Sequence, residues 1–333
     1  MRYCVALPGE NAECVCAGLR TVFEHIGAVP LTLVLDNATG AGHRVAWDRV
    51  SIVKVFELFV EHYRLETRFC NPNSGNEKGS VENAVGFLRR NIMVPLLNAE
   101  SYAQLTRYML ERCDAMAKET HYRKGAPIGG LFAEEKAEMQ PLPSKPYDAI
   151  RWEVRKADKD GRVQVDGNHY LAGPSWRGWT LDVALRAFDV TIRTQDGRTC
   201  ARLPRVYGDS PATIRDPATL LPALGRKTNA WPDSTIRDDF PDKLRLAIDR
   251  MDAKARRNAF RLISRTSDAC GFEPAVEAGE HLVEQGHPLD EASLTTMARR
   301  IASGEKPYEQ TAPDLTGYDV FMQPRGTRER KEA

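Results

Sequence analysis

The hydrophobic period of this chain changes twice, and that limits the fold more than any single motif does. Through about residue 138, short apolar runs alternate with stretches of helical spacing. Strands are expected at 2–7, 31–35 and 65–70, and helices at 11–26, 50–63, 77–90 and 99–120. Gly27 stands as a helix stop, and 37–43 reads as a loop. The run 31–35 is apolar enough for a strand covered on both faces. Such alternation implies an α/β layer. Prolines 141, 143 and 146 then mark a linker over 139–149. Beyond it the period falls to two. Strands are expected at 152–156, 162–165, 169–171, 180–185, 190–193 and 199–203, with Asp-Gly turns at 160–161, 166–167 and 196–197. This spacing suggests a small SH3-like β-barrel over 150–207. The period becomes helical again within 208–305, and 306–333 is a polar tail.

Composition narrows the class without deciding the function. Hydrophobic residues make up 42% of 333, enough for packed cores. No apolar run reaches about 18 residues, so no membrane helix is expected, and the short start before Pro8 does not read as a signal peptide. The expected location is the cytoplasm. Seven cysteines at irregular spacing argue for free, mostly buried thiols rather than a disulfide framework or structural zinc. A net charge of +1 leaves a nucleic-acid partner open, because local patches bind DNA. Neither a G-x-S-x-G elbow nor a Walker A string occurs.

Two carboxylates stand out. Asp36 ends the apolar run 31–35, at the strand edge where open α/β sheets bind ligands. Glu82 falls off the stripe Val81, Ala84, Val85 and Leu88, which is expected to face the core. Lys78, four before it, and Arg89, seven after, share its side. Phosphoryl transfer on divalent ions needs carboxylate oxygens to hold cations about 3.5–4 Å apart. Lys and Arg nearby would neutralise DNA phosphates. Spacing alone also allows a strand-end cap and a solvated ion pair.

The strings around these residues add a resemblance. Leu33-Val34-Leu35-Asp36-Asn37, Phe69-Cys70-Asn71-Pro72, Gly75-Asn76-Glu77-Lys78-Gly79-Ser80-Val81-Glu82 and Leu88-Arg89-Arg90-Asn91 resemble the catalytic core of IstA-type insertion-sequence transposases, relatives of retroviral integrases. The run 22–30 is similar too, and a looser likeness extends through the barrel and the C-terminal helices. The resemblance implies a ribonuclease-H-like integrase core over 1–138 with an Asp-Asp-Glu triad. Asp36 matches the second Asp and Glu82 the Glu, 46 residues apart (82 − 36). The triad's first Asp belongs on a strand before Arg2, so the expected core is incomplete at its N-terminus and the two-ion site for Mg²⁺ (or Mn²⁺) lacks a ligand. Glu10 and Glu13 do not replace it. The implied activity is end cleavage and strand transfer, with a non-catalytic DNA- or partner-binding remnant as the alternative. Implied partners are element-end and target DNA, further copies of the chain, and an IstB-type AAA+ ATPase docking on the C-terminal helices.

Lys78, Arg89 and Arg90 are the expected DNA contacts. Arg107, Arg112, Lys118, Arg123 and Lys124 read equally as a solvated helix face, and His43 as a plain loop histidine. The barrel's Arg151, Arg155, Lys156, Arg162, Arg193, Arg198, Arg202 and Arg205 slightly outnumber nearby acids, consistent with an auxiliary DNA-binding surface. Core packing is expected for at least two of Trp152, Trp176 and Trp179.

Overall fold

The computed structural model describes residues 1–35, 42–46, 49–69, 75–95 and 97–304, with the backbone alone at 42–46, 49–52 and 75–82. Its contacts divide into two units, Met1–Thr219 and Leu220–Ala333.

The first unit opens on an irregular segment instead of the expected strand at 2–7. Ala6 finds a side chain in place of a neighbouring strand: its N–H donates to Thr106 Oγ1 at 3.1 Å, and the same hydroxyl donates to its carbonyl. Helix α1 (Ala12–Ile26) follows. The Asn11 side chain caps it by accepting from the Cys14 N–H. Gly27, at φ 70, ends it in the left-handed region and donates to the Phe23 carbonyl.

Strand β1 (Thr32–Leu35), hairpin strands β2 (Gly42–Ala46) and β3 (Arg49–Ile52), helix α2 (Lys54–Tyr63) and strand β4 (Glu66–Phe69) complete the sheet region. The hairpin corrects two expectations: His43 lies on a strand opposite Ser51, and the helix begins only at Lys54. The β-branched residues Val50, Ile52 and Val53 favour the extended backbone ahead of it. β1 pairs with β4 in parallel, Thr32 opposite Glu66 and Leu35 opposite Phe69. These two strands form a pair, so β1 is not covered on both faces, and Val34 is 65% exposed. Leu33, Leu35 and Phe69 pack on a core of Phe23, Phe56, Phe59 and Tyr63 supplied by α1 and α2.

Helices α3 (Gly75–Ile92), α4 (Tyr102–Met116) and α5 (Ile128–Ala137) come next. Leu88 and Ile92 seat on Met109 and Cys113 of α4. The stretch at 139–149 is irregular, as its prolines require, yet it is fastened to the core. Val29 and Gln140 exchange backbone bonds at 2.8 Å, and the Tyr147 hydroxyl donates to the Val55 carbonyl.

Strands β5 (Arg151–Lys156), β6 (Arg162–Val165), β7 (Asn168–Leu171), β8 (Thr180–Leu185), β9 (Asp189–Arg193), β10 (Thr199–Pro204) and β11 (Thr213–Ile214) form two sheets, ordered β10-β9-β8-β5 and β11-β7-β6. Their alternating inward residues, among them Val163, Tyr170, Leu181, Val183, Ile192 and Leu203, share one core. The β6–β7 hairpin turns on Asp166 (φ 49) and Gly167 (φ 80), the two positive φ values that a two-residue turn demands. Gly161, at φ 81, is required on a second count: a Cβ there would lie 2.0 Å from the Gly173 carbonyl oxygen.

The second unit is helical: α6 (Leu221–Arg226), α7 (Asp242–Arg250), α8 (Ala253–Cys270), α9 (Phe272–Glu284) and α10 (Glu291–Ala302). Fully buried Trp231 sits between Phe240 and Phe260, and its indole N–H donates to Asp249 at 2.7 Å. Asp252 caps α8 and Asp290 caps α10.

Candidate metal centre and phosphate contacts

The parallel register stops β1 and β4 at one edge, with Leu35 beside Phe69. Asp36 is next in sequence after Leu35 and lies outside the described residues, as do residues 70–74. α3 takes up the chain at Gly75, six residues after the end of β4. Glu82 and Lys78 lie in its N-terminal half, where the backbone alone is described. Positions 78, 82 and 89 fall on one helix face by their spacing of four and seven. Arg89 and Arg90 are exposed in the last turn of α3, with no ion pair to a described residue.

The packing of α3 corrects the expected stripe. Val85 is half exposed, and the buried contacts come from Leu88 and Ile92. α4 therefore holds the C-terminal half of α3 through Leu88 and Ile92. Among the described residues no three His, Cys, Asp or Glu side chains converge as a metal cluster, and no helix is long and apolar enough to cross a membrane.

Most of the β-module's arginines answer to carboxylates. Arg155 pairs with Glu153, Arg162 with Asp158 and Asp160, and Arg202 with Asp189. Arg151 and Arg205 hold the module to α1. Arg151 Nε donates to Glu13 at 2.9 Å, and both guanidinium groups reach Asp166. Arg205 also lies 3.4 Å from Glu13 and donates to the Arg186 carbonyl at 2.7 Å. Glu13 and Arg205 are both buried. Burial alone would raise the Asp166 carboxyl, but hydrogen bonds and charge from Arg151 and Arg205 overcome it and hold the pKa below the ordinary value. The tryptophans correct another expectation. Trp152 and Trp179 are about half exposed, and Trp176 alone packs partly on the core. Alternation along β5 turns Trp152 and Val154 outward, and the Arg193 guanidinium stacks 3.9 Å above the Trp152 ring.

The six described cysteines are free. Cys4 and Cys113 lie 3.8 Å apart, sulfur to sulfur. Their hydrogen bond pulls the Cys113 thiol down to about 7 and raises that of Cys4.

Sequence reasoning missed the network Glu13–Arg205–Asp166–Arg151. The Asp-Gly turn was visible, but Arg151 and Arg205 join Asp166 to Glu13, 153 residues earlier (166 − 13), and that bridge left no local trace. Outward display of Trp152 ran against the core packing expected of the tryptophans, although the alternation Trp152, Val154, Lys156 put it on a face shared with a lysine.

Comparison with known proteins adds an independent line. A family model described as "Mu transposase, C-terminal domain" matches residues 142–216, the span that holds β5 through β11. "Transposase for insertion sequences IS1326/IS1353" of Pseudomonas aeruginosa is 28% identical over 192 residues, covering 57% of this chain and 38% of that protein. "Transposase for insertion sequence element IS21", also of P. aeruginosa, is 28% identical over 186 residues, 55% of this chain and 47% of the relative. A "Transposase" of Aminobacter aminovorans is 28% identical over 230 residues, 67% of this chain and 45% of the relative. The chain thus spans less than half the length of these curated relatives.

Proposed function

From the premise that this chain is a relative of insertion-sequence transposases, we propose that it carries part of a DDE-type catalytic core together with a DNA-contacting β-module, and serves metal-dependent DNA cleavage and strand transfer. The observation that carries this reading is the β1–β4–α3 arrangement, in a chain whose relatives are insertion-sequence transposases. Two parallel strands stop at one edge, Asp36 follows the first, and the helix after the second bears Glu82. A ribonuclease-H-like core fits that order of elements, and an SH3-like barrel fits the two sheets on one core.

Two carboxylates are hard oxygen donors, the donor type that Mg²⁺ or Mn²⁺ takes. Asp36 and Glu82 would hold the ion, which supplies Lewis-acid stabilisation of charge on phosphoryl oxygens. The chain's own cations do the rest. Lys78 shares the Glu82 helix face, and Arg89 and Arg90 stand exposed at the end of α3, where they would neutralise the phosphates of the bound strand. On the β-module the Trp152–Arg193 pair offers a ring face and a charge to DNA. The corrected arginines narrow this surface: Arg151 and Arg205 are spent on Glu13 and Asp166. Self-association and an IstB-type ATPase partner belong to the same proposal.

Strand transfer of labelled element ends tests it, with the whole reading frame that contains this chain expressed in the presence of Mg²⁺. Asp36→Asn and Glu82→Gln should each abolish joining while DNA binding persists. Joining that survives either substitution would remove that residue from the site.

A further inference from the structure

We infer that the solvent face of α8 is a second DNA-backbone contact, separate from the β-module and outside the span matched by the family model. Lys254, Arg257, Arg261 and Arg265 recur at spacings of three, four and four. All four are exposed. At 100° per residue they occupy one face of the helix, opposite the buried Ala259, Phe260, Ile263 and Ser267 that anchor α8.

The stripe carries more positive charge than its described neighbours offset, with Asp252 at the helix cap beside Lys254. Lys254, Arg257 and Arg261 make no side-chain ion pair with another described residue, and Arg265 has one solvent-exposed partner, Glu291, at 3.6 Å. Asp268 is the one acid on the same face, at the far end. Elsewhere in this unit Arg237, Lys243 and Arg245 sit in ion pairs, and Arg256 is taken up by three backbone carbonyls. A chain of net charge +1 gathers these cations here without any general excess.

Polyanionic backbone fits this face better than a protein does. Protein interfaces centre on aromatic or aliphatic anchors. Between its cations this face carries Asn258 and Ser264, and none of the exposed large apolar side chains lies on α8. From Lys254 to Arg265 the helix rises about 16 Å. Duplex DNA presents one phosphate per strand for each ~3.4 Å of axis, so the stripe spans roughly four to five phosphates. Such contacts carry charge and position but no base sequence.

The inference relies on the proposed function only in taking duplex DNA as the partner. Binding of the full chain to a random-sequence duplex, followed by fluorescence anisotropy over a salt series, tests it. The variant Lys254→Gln/Arg257→Gln/Arg261→Gln removes three charges on an exposed face while keeping good helix formers. The salt slope should fall by about 2–3, at ~0.9 per contact, and affinity near 0.1 M salt should fall at least about tenfold. The charge-preserving Lys254→Arg/Arg257→Lys/Arg261→Lys should bind as the parent does. An unchanged slope and affinity in the glutamine variant would overturn the inference, as would equal weakening in the charge-preserving variant. Intact DNA binding with lost self-association would assign the stripe to a protein contact and overturn it too. If the parent chain itself fails to bind duplex, the proposed function falls with it; if only the variant is indifferent, the α8 contact falls alone.

Discussion

Removing the Arg205 charge should destabilise the first unit more than any surface change near it. The guanidinium is 3% exposed and meets the Glu13 carboxylate, itself 2% exposed, the Asp166 carboxylate and the Arg186 carbonyl. Arg205→Met keeps much of the volume and deletes the cation. Asp166 retains its two bonds from Arg151 and is partly solvated. Glu13 is left buried with Arg151 Nε as its remaining charged partner. Stranding one partner of a buried pair outright costs about 3–5 kcal/mol, and because Glu13 keeps Arg151 the loss here should be roughly half of that, about 2 kcal/mol. With a urea slope of about 2 kcal/mol per molar, the midpoint should drop by roughly 1 M. Fluorescence of Trp152, Trp176 and Trp179, which report on the β-module, follows the transition. In Glu13→Leu/Arg205→Met both buried charges are gone, and most of the loss should return, because an apolar pair often replaces a buried ion pair at little cost. A loss under about 1 kcal/mol for Arg205→Met, or a double variant as weak as the sum of the singles, would refute the claim that this network fastens α1 to the sheets.

Four further outcomes follow from the same contacts. Gly161→Ala places a Cβ on the Gly173 carbonyl at a φ of 81 and should lower stability by at least about 2 kcal/mol, read by thermal melting. Trp231→Ala should cost the helical unit about 3–5 kcal/mol, read as an earlier loss of helical circular dichroism on denaturation. Asp148, through its hydrogen bonds with Arg186, and Asp166 have folded pKa values below their unfolded ones. Their stabilisation is therefore full above about pH 4 and is lost as pH falls through the folded values, so Asp148→Asn should flatten the acid limb of the melting curve. Cys113 is 1% exposed, so its alkylation in the folded protein should be slow, and Cys4→Ala, which removes the hydrogen bond that lowers its pKa, should slow it further at neutral pH.

The β-module was legible because its signal is local. Six of its strands lie within a residue of where alternation put them, and each Asp-Gly turn carries the positive φ that its glycine allows. α1 was likewise readable from its helical spacing and the Gly27 stop, and the structure adds Asn11 as its N-terminal cap. Failures came where partners decide the outcome. Residues 2–7 form a short apolar run like a strand but find Thr106 in place of a ladder. Val34 and Val85 look like core residues, yet the described neighbours leave them exposed. At least two of Trp152, Trp176 and Trp179 were expected inside because tryptophan is large and apolar, but the strand face decided for Trp152. Ionic pairing was the least visible. Arg151 and Arg205 read as DNA contacts in a list of basic residues, and their burial against Glu13 depends on contacts far apart in sequence. For the proposed site, the strings around Asp36 and Glu82 point to a chemistry, and the parallel register ends β1 and β4 at one edge, with Asp36 itself outside the described residues.

Metal-localised cleavage addresses the central claim most directly. Fe²⁺ substituted for Mg²⁺, with ascorbate and peroxide, produces hydroxyl radicals that cut the polypeptide close to the bound ion. Cuts mapped by mass spectrometry should fall in two clusters, one beside Asp36 and one beside Glu82, compete away with excess Mg²⁺, and vanish together in Asp36→Asn. Cleavage at one cluster alone, or at both in the Asp36→Asn chain, would contradict a shared ion.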